Sequence, residues 1–567
     1  NANATFPSIN TFGIDWWGYY NDPTASPSGF EPSLTTATGI KYLSPNYSRR
    51  NANPDYAIYG MLQEITYPTG GRSVFSYQGN TYSASVNRNH ETGYVPSLQS
   101  ESGNAGGVRI SQIVDYKDDS GFGICRSFVY ANADGSSSGT LLWGRPAVYT
   151  QYRLSLTYGF SDINREMLST QHSFPFSMNN HIEYGRIVET RYVTNNPLKK
   201  TITEYIYETY KRNGNTEDRF PTIAESWLPI DVEGSATAIQ NMLLTPISKS
   251  ALRGKLEKKS YYADQLTSAN KLYEEVYHYK STDSKYISYP KFALYQLYDQ
   301  RLNIENPQLT SIDRQYYQNG NPSVSTTTAY RYNTKGQLQA TTVANSKNQA
   351  ITTAYIYPHE VAHPSNAEVS LVANNIVNVP VNTITMYADS TRVLSAEKAV
   401  YFRPFNTMDI VKVNRLQAAL IEPTMNLDNI AYEDQVTYGR YDRAGHPLQS
   451  TDKSGTSTCY VWGYDGLYIV ARIENATFDQ IESLLPSTIE QRPLAGALTE
   501  TQEAAIRALP DVHVTTYAYE PLVGITRITD PSNRIATYEY DDDGKLVCIR
   551  DDAGILTQEY QYNIVNR

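Results

Sequence analysis

A tyrosine-bearing hairpin that keeps returning is the feature that most constrains this chain. "TTAYRY" at 327–332 returns as "TTAYIY" at 352–357, and the same Thr/Tyr alternation returns as "TTYAY" at 515–519, "TYEY" at 537–540 and "EYQY" at 559–562. Three tyrosines run straight into a turn of fixed length: Tyr332 to Gly336 in "YNTKG", Tyr441 to Gly445 in "YDRAG" and Tyr540 to Gly544 in "YDDDG". Asn333, Asp442 and Asp541 can cap these turns through their own side chains. The glycines supply the positive φ that closes a hairpin without a Cβ clash. A generic hairpin explains any one copy, but the constant spacing marks a repeat.

Each unit continues into a second strand and a second turn, as in "GKLVCIRDDAG", "GQLQATTVANSKN" and, with one extra residue, "GHPLQSTDKSG". The period is about 20–25 residues, near the length of two strands. The N-terminal half carries the pattern more loosely. "EITYPTGGRSVFSYQ" (64–78) reads as a hairpin around Pro68 to Gly71, "KTITEYIYETY" (200–210) alternates with period two, and "YYQNGN" (316–321) carries an Asn319-Gly320 turn. Repeated hairpins cannot bury a face singly, so they must join into a continuous sheet. The predicted class is all-β, a strip of antiparallel hairpin repeats.

The composition agrees. Tyr is present 49 times against 14 Phe and 7 Met, which suits many half-exposed sheet faces rather than one oily centre. With 40% hydrophobic and 19% charged residues the chain is not a disordered one. Its net charge of −10 is spread out with no basic run, which argues against a nucleic-acid partner. Cys125, Cys459 and Cys548 cannot all pair and read as small strand fillers. No stretch approaches the roughly 18 apolar residues of a membrane span. The opening "NANATFPSIN" has no signal-peptide pattern and suggests a processed or partial piece of something longer.

One segment breaks the rhythm. Residues 476–509 contain two short amphipathic runs, with Thr477 and Thr499 or Thr501 as N-caps, Pro486 and Pro493 as breakers and Pro510 as a stop. They predict a short helical insertion, a plug, a lid or a surface decoration. The expected organisation is a degenerate repeat region at 1–475, the insertion at 476–510 and C-terminal repeats at 511–567 continuous with the first region.

"YEYDDDGKLVCIRDDAG", "YRYNTKGQL" and "YDRAGHPL", with "YVWGYDGLYIVARIENATFDQI" and "TTYAYEPLVGITRITDP", resemble the YD-repeat proteins of the RHS group, in a bacterial surface branch. The clear motifs cover roughly the last 250 residues. The group includes bacterial RHS toxins, the C components of insecticidal toxin complexes and the teneurins. The resemblance implies that the strip of strands winds as a spiral into an RHS-like shell.

"HEVAH" is the sharpest chemical motif: His359, Glu360 and His363 match the zincin pattern, two zinc-binding His one helical turn apart with a Glu to activate water. Pro358 and Pro364 flank it and oppose the helix it needs, so an exposed turn is expected. "DDDG" at 541–544 with Asp551 and Asp552 lacks the spaced ligands of a calcium loop. "TDPSN" at 529–533 resembles the self-cleavage element of RHS proteins but has Asn533 where that element needs Gly, and it reads as a turn. Trp16, Trp17, Tyr19 and Tyr20 are the aromatic contacts a glycan could stack on, or a cross-strand cluster.

The leading expectation is a structural, non-enzymatic YD-repeat segment without a cofactor, secreted or on the cell surface of a Gram-negative bacterium. It would enclose or present a toxin or effector, or serve within a surface assembly of other protein chains. The alternative is an adhesin or ligand-binding module using exposed Tyr and Trp, with a glycan as a possible ligand. A zinc hydrolase at "HEVAH" comes third.

Overall fold

The computed structural model describes residues 13–21, 51–67, 71–88, 96–117, 121–142, 181–210, 250–280, 306–388, 392–405, 410–422, 426–427, 429–542 and 544–562, and six short strands between them. Pro68 to Gly70, part of an expected hairpin, lie outside the described residues, as do Asp543 and Asn563. The chain divides into two compact units, residues 1–327 with 564–567, and residues 328–563. Residues 476–510 lie wholly inside the second unit.

In the first unit nine antiparallel strands pair in series: β1 (Glu64–Thr66), β2 (Arg72–Tyr82), β3 (Gly103–Tyr116), β4 (Gly123–Val129), β5 (Arg186–Val193), β6 (Asn196–Tyr207), β7 (Leu256–Ala263), β8 (Lys271–Lys280) and β9 (Gln308–Gln318). The β1 and β2 strands flank the expected Pro68 to Gly71 hairpin. Beside the series, a small sheet joins Ile182–Tyr184, Gly139–Leu141, Ala84–Arg88 and Pro96–Gln99 in that order. The core here is divided into small clusters, such as Val188, Ile202 and Tyr262 on one sheet face.

β10 (Asn321–Tyr332) crosses the division after the Asn319-Gly320 turn, where both residues have positive φ. The second unit then runs through β11 (Leu338–Ala344), β12 (Ala350–Ile356), β13 (Asn382–Tyr387), β14 (Val393–Phe402), β15 (Lys412–Ala419), β16 (Tyr432–Tyr441), β17 (Pro447–Asp452), β18 (Ser457–Gly463) and β19 (Tyr468–Glu474). It continues as β20 (His513–Glu520), β21 (Gly524–Thr529), β22 (Ile535–Tyr540), β23 (Leu546–Arg550) and β24 (Leu556–Glu559). Every one of these pairings is antiparallel and joins strands adjacent in sequence, so the chain is all-β as predicted, built almost wholly from hairpins. Thr, Tyr, Val and Ile fill the strands because branched and aromatic side chains pack on a pleated, half-buried surface.

Among the described residues, three short helices interrupt the second unit: α1 (Asn366–Ala373), α2 (Phe478–Glu482) and α3 (Glu500–Arg507). The α2 and α3 helices form the predicted insertion between β19 and β20. Thr477 and Thr499 are their N-caps, each in a capping box with Gln480 or Gln502. Ile481 and Phe478 of α2, Ile506 of α3 and the intervening Leu485 and Ile489 bury against Val461, Val470 and Ile473 of β18 and β19. The insertion is thus neither loose nor decorative: it covers one face of β17–β20 and supplies half of the largest apolar core among the described residues. Each fully buried side chain there contributes about 1.5–3 kcal/mol.

Candidate functional site

The residues that recur are those of the turns. In seven turns of the second unit an Asn or Asp at the first position accepts a hydrogen bond from the backbone N–H four residues on: Asn333 from Gln337, Asn345 from Gln349, Asp442 from His446, Asp452 from Thr456, Asp530 from Arg534, Asp541 from Lys545 and Asp551 from Ile555, all at 2.8–3.0 Å. The backbone closes each turn identically, the Asx N–H donating to the carbonyl of the fifth residue and the N–H of the fourth donating back to the Asx carbonyl. The fourth residue always has positive φ, from 59° at Asn348 to 89° at Gly445. This is a three-residue hairpin loop, a type I turn followed by a left-handed residue that makes a bulge. One pair beyond the turn, the register slips again between Arg331 and Tyr332, Arg440 and Tyr441, and Glu539 and Tyr540, a second bulge in the strand that follows the turn.

Gly336, Gly445 and Gly544 occupy the left-handed position, with Tyr332, Tyr441 and Tyr540 as the last residues of β10, β16 and β22. In "NSKN" and "DPSN" that position is held by Asn348 and Asn533, which tolerate positive φ. A search keyed on Gly ranks these two turns below the others; one keyed on Asx at the first position and Gly or Asn at the fourth finds all seven. "TDPSN" is therefore an ordinary member of the series.

The tyrosines preceding the turns reach back over the neighbouring strand. Tyr441 donates to the Val413 carbonyl at 2.6 Å, Tyr540 to Ile525 at 2.9 Å and Tyr357 to Leu338 at 2.8 Å. In each case the acceptor stands in the first two residues of the strand before. Gly524 leaves room for this: a Cβ there would sit 2.5 Å from the Tyr540 hydroxyl. Burial, with Tyr438 beside it, pushes Tyr441 up to about 12, so it remains a donor.

"HEVAH" does not form the zincin geometry. Residues Pro358–Glu360 make a single 3₁₀ turn and Val361 is extended, so His359 and His363 do not share a helix face. The segment is also less exposed than expected: Tyr357 and Pro358 are buried, His359 and Glu360 half-buried and His363 exposed. Glu360 accepts from the Tyr357 N–H at 3.1 Å and from the Asn333 side-chain amide at 3.0 Å, tying this turn to the first Asx turn. Among the described residues no three His, Cys, Asp or Glu side chains converge where a metal ion could sit. The thiols are buried, and burial pushes Cys459 up to about 12.

The N-terminal aromatics separate. Trp16 is 3% exposed, so its ring is not available as a surface contact. Trp17 and Tyr19 pack on His181, and Tyr20 packs on Tyr56 and Tyr59. Burial lowers His181, which keeps its ring neutral between these aromatics. Asp15 holds this short loop by accepting from the Trp17 and Tyr19 N–H groups.

Two arginines that sequence reading did not single out anchor the insertion. Arg440 of β16 meets Asp479 and Glu482 at 3.0 Å and Glu490 at 3.5 Å. Arg507 of α3 donates to the Val514, Thr529 and Asp530 carbonyls and pairs with Glu503 at 2.9 Å. Apart from Glu503 and Val514, which stand close to Arg507 in the chain, their partners come from distant parts of it, so no local motif announces them.

No family model matches the chain, and no curated protein matches it. Among solved structures it is similar to crystal structures of TcdB2-TccC3, at 9% identity over 93% of this chain and 29% of that one with a TM-score of 0.45. TcdB2-TccC3 without its hypervariable C-terminal region gives 10% identity, 88% and 25% coverage and a TM-score of 0.46. TcdB2-TccC3-Cdc42 gives 9%, the same coverages and 0.44. This chain thus spans only a quarter or so of theirs, and a likeness this distant transfers no activity, ligand or partner.

Proposed function

We propose that the chain is a structural, non-enzymatic segment of a YD-repeat casing of the RHS type, secreted or on the cell surface, that encloses or presents a payload within a larger protein assembly. The observation that carries this reading is the seven-fold Asx turn. The polar residues that recur most regularly are used to hold hairpins, and Glu360, the general base of a zincin reading, is likewise a turn ligand. The sheet edge adds support. Among the described residues β24 pairs on one side only, and Ile555, Leu556, Tyr560 and Tyr562 are exposed beside it. An edge of this kind invites another strand, which a neighbouring part of the assembly would supply.

The test is crosslinking of the native protein in its own cells, followed by fractionation. Recovery outside the cytoplasm, with crosslinks from residues 555–562 to another chain or segment, is expected. A cytosolic monomer with no such crosslink overturns the reading. Stoichiometric zinc that is lost in His363→Ala would separately overturn its non-enzymatic part.

A further inference from the structure

The first unit carries a second ordered set of side chains, on one face of β5, β6, β7, β8 and β9. Residues paired across antiparallel strands share a face, so the registers define two rows running across the sheet. One row is Glu189, Thr203, Tyr261, Tyr273 and Tyr316; the row beside it is Ile187, Tyr205, Lys259, Glu275 and Arg314. Glu275 and Glu189 match Lys259 and Arg314 in number, so the face selects no charged ligand. What the register brings together is phenol beside phenol. The ring centroids of Tyr261 and Tyr273 lie 5.5 Å apart and those of Tyr273 and Tyr316 4.7 Å. These rings are half-exposed, Tyr316 by 47%.

Two phenols in ring contact can be coupled by oxidation if each gives up an electron and its hydroxyl proton. Among the described residues, two other tyrosine pairs have their rings comparably near: Tyr130 with Tyr184 at 4.9 Å and Tyr468 with Tyr519 at 4.4 Å. Neither pair donates to a carboxylate. Tyr130 and Tyr519 donate to the Ile110 and Ile469 carbonyls and Tyr184 to the Asn80 side-chain oxygen, none of which takes up a proton at neutral pH. The Arg109 guanidinium also covers the Tyr130 and Tyr184 rings, 4.4 and 4.6 Å from their centroids. Tyr273 differs, because its hydroxyl donates to the Glu275 carboxylate at 2.9 Å, within reach for proton transfer. Against partial burial, the Tyr277 and Tyr273 hydroxyls and Arg314 hold Glu275 below the ordinary carboxylate range, so it is an ionised base at neutral pH.

We propose that Tyr273 and Tyr316 form a dityrosine, a carbon–carbon bond that staples β8 to β9. The oxidant is a peroxide acting through a haem peroxidase, which withdraws electrons one at a time. Each ring loses one electron and its hydroxyl proton, Tyr273 to Glu275 and Tyr316, at the exposed end of the row, to water. The two phenoxyl radicals couple through the carbons ortho to their oxygens, and the hydrogens displaced there return to the phenolic oxygens. In sum, two tyrosines and one peroxide give one dityrosine and two waters. The register holds the two rings side by side, so coupling within the sheet outruns coupling between molecules. All three cysteines are buried and free, so no disulfide ties these strands, and the small apolar clusters of the first unit leave its sheet open to such reinforcement. The site is separate from the turns and does not depend on the casing reading.

To test it, the full chain is treated with hydrogen peroxide and a haem peroxidase, isolated as monomer, digested and mapped by mass spectrometry, with dityrosine fluorescence giving the rate. A linked peptide pair carrying Tyr273 and Tyr316, lighter than its parts by two hydrogens, is expected as the main intramolecular product. Tyr273→Phe and Tyr316→Phe should each abolish it. Glu275→Gln keeps an acceptor but not the base, and should slow formation on the order of tenfold or more, as for loss of a positioned base. Tyr468→Phe should change nothing. Circular dichroism checks that each variant keeps its sheet, and the peptide map of the parent chain stands whichever variant misfolds. Monomer without dityrosine, a main product at any other tyrosine pair, or formation as fast in folded Glu275→Gln as in the parent would overturn the proposal.

Discussion

At the residue scale, the second unit depends on one acceptor oxygen used seven times. Asn and Asp interchange at that position because both place an oxygen two bonds from Cβ, yet Asn333→Asp should destabilise, because it replaces the amide that donates to Glu360 with a second carboxylate. Asn333→Ala removes the bonds from the Lys335 and Gln337 N–H groups and should cost about 1–2 kcal/mol in equilibrium denaturation. The aspartates add a pH dependence. Hydrogen bonds hold Asp452 and Asp530 below the ordinary range, Asp452 chiefly through the Ser454 side chain and Asp530 chiefly through the Arg534 N–H. A lowered folded-state value means that this stability is complete above the unfolded value of about 3.9 and is lost as pH falls through it toward the folded value. Thermal melts should therefore drop across that acidic window, and Asp452→Asn, which keeps the acceptor but cannot titrate, should flatten part of the drop. Tyr441→Phe leaves the Val413 carbonyl without its donor and should cost about 1 kcal/mol by the same denaturation measurement.

At the element scale, the insertion is bound twice, by apolar packing and by two arginines. Phe478 is fully buried between the sheet and α2, with the Arg440 guanidinium 5.3 Å from its ring centroid. Phe478→Ala should cost about 3–5 kcal/mol, the cost of an aromatic cavity. Arg440→Leu keeps much of the packing and loses three partly exposed acidic partners, so its effect should be local. Limited proteolysis should then nick residues 486–498 faster than in the parent chain, with β17–β20 left intact. Equal nicking rates in the two proteins would show that the ion pairs do not hold the insertion down.

At the scale of the whole molecule, apolar burial is distributed unevenly. Among the described residues, the cluster built on β17–β20, α2 and α3 is much larger than any in the first unit, where the clusters contain three buried residues each. Opening free energy follows buried apolar contact, so hydrogen exchange should be slowest in β18 and β19 and measurably faster throughout β6–β9. Slowest exchange in the first unit would contradict this.

The amino-acid sequence by itself determined the hairpin, its tyrosine, its turn and the class of sheet. Each of these is local: a period of two, an Asx and a left-handed residue three positions later act within a few residues of one another. The same locality made the insertion and its caps at Thr477 and Thr499 legible. Only the tertiary structure decided that the insertion is a core element, that Arg440 and Arg507 hold it, that Trp16 is buried, and that Glu360 belongs to Asn333. It alone set Tyr261, Tyr273 and Tyr316 in one row beside Lys259, because strand register brings together residues far apart in the chain, and a one-residue slip would place them on the opposite face.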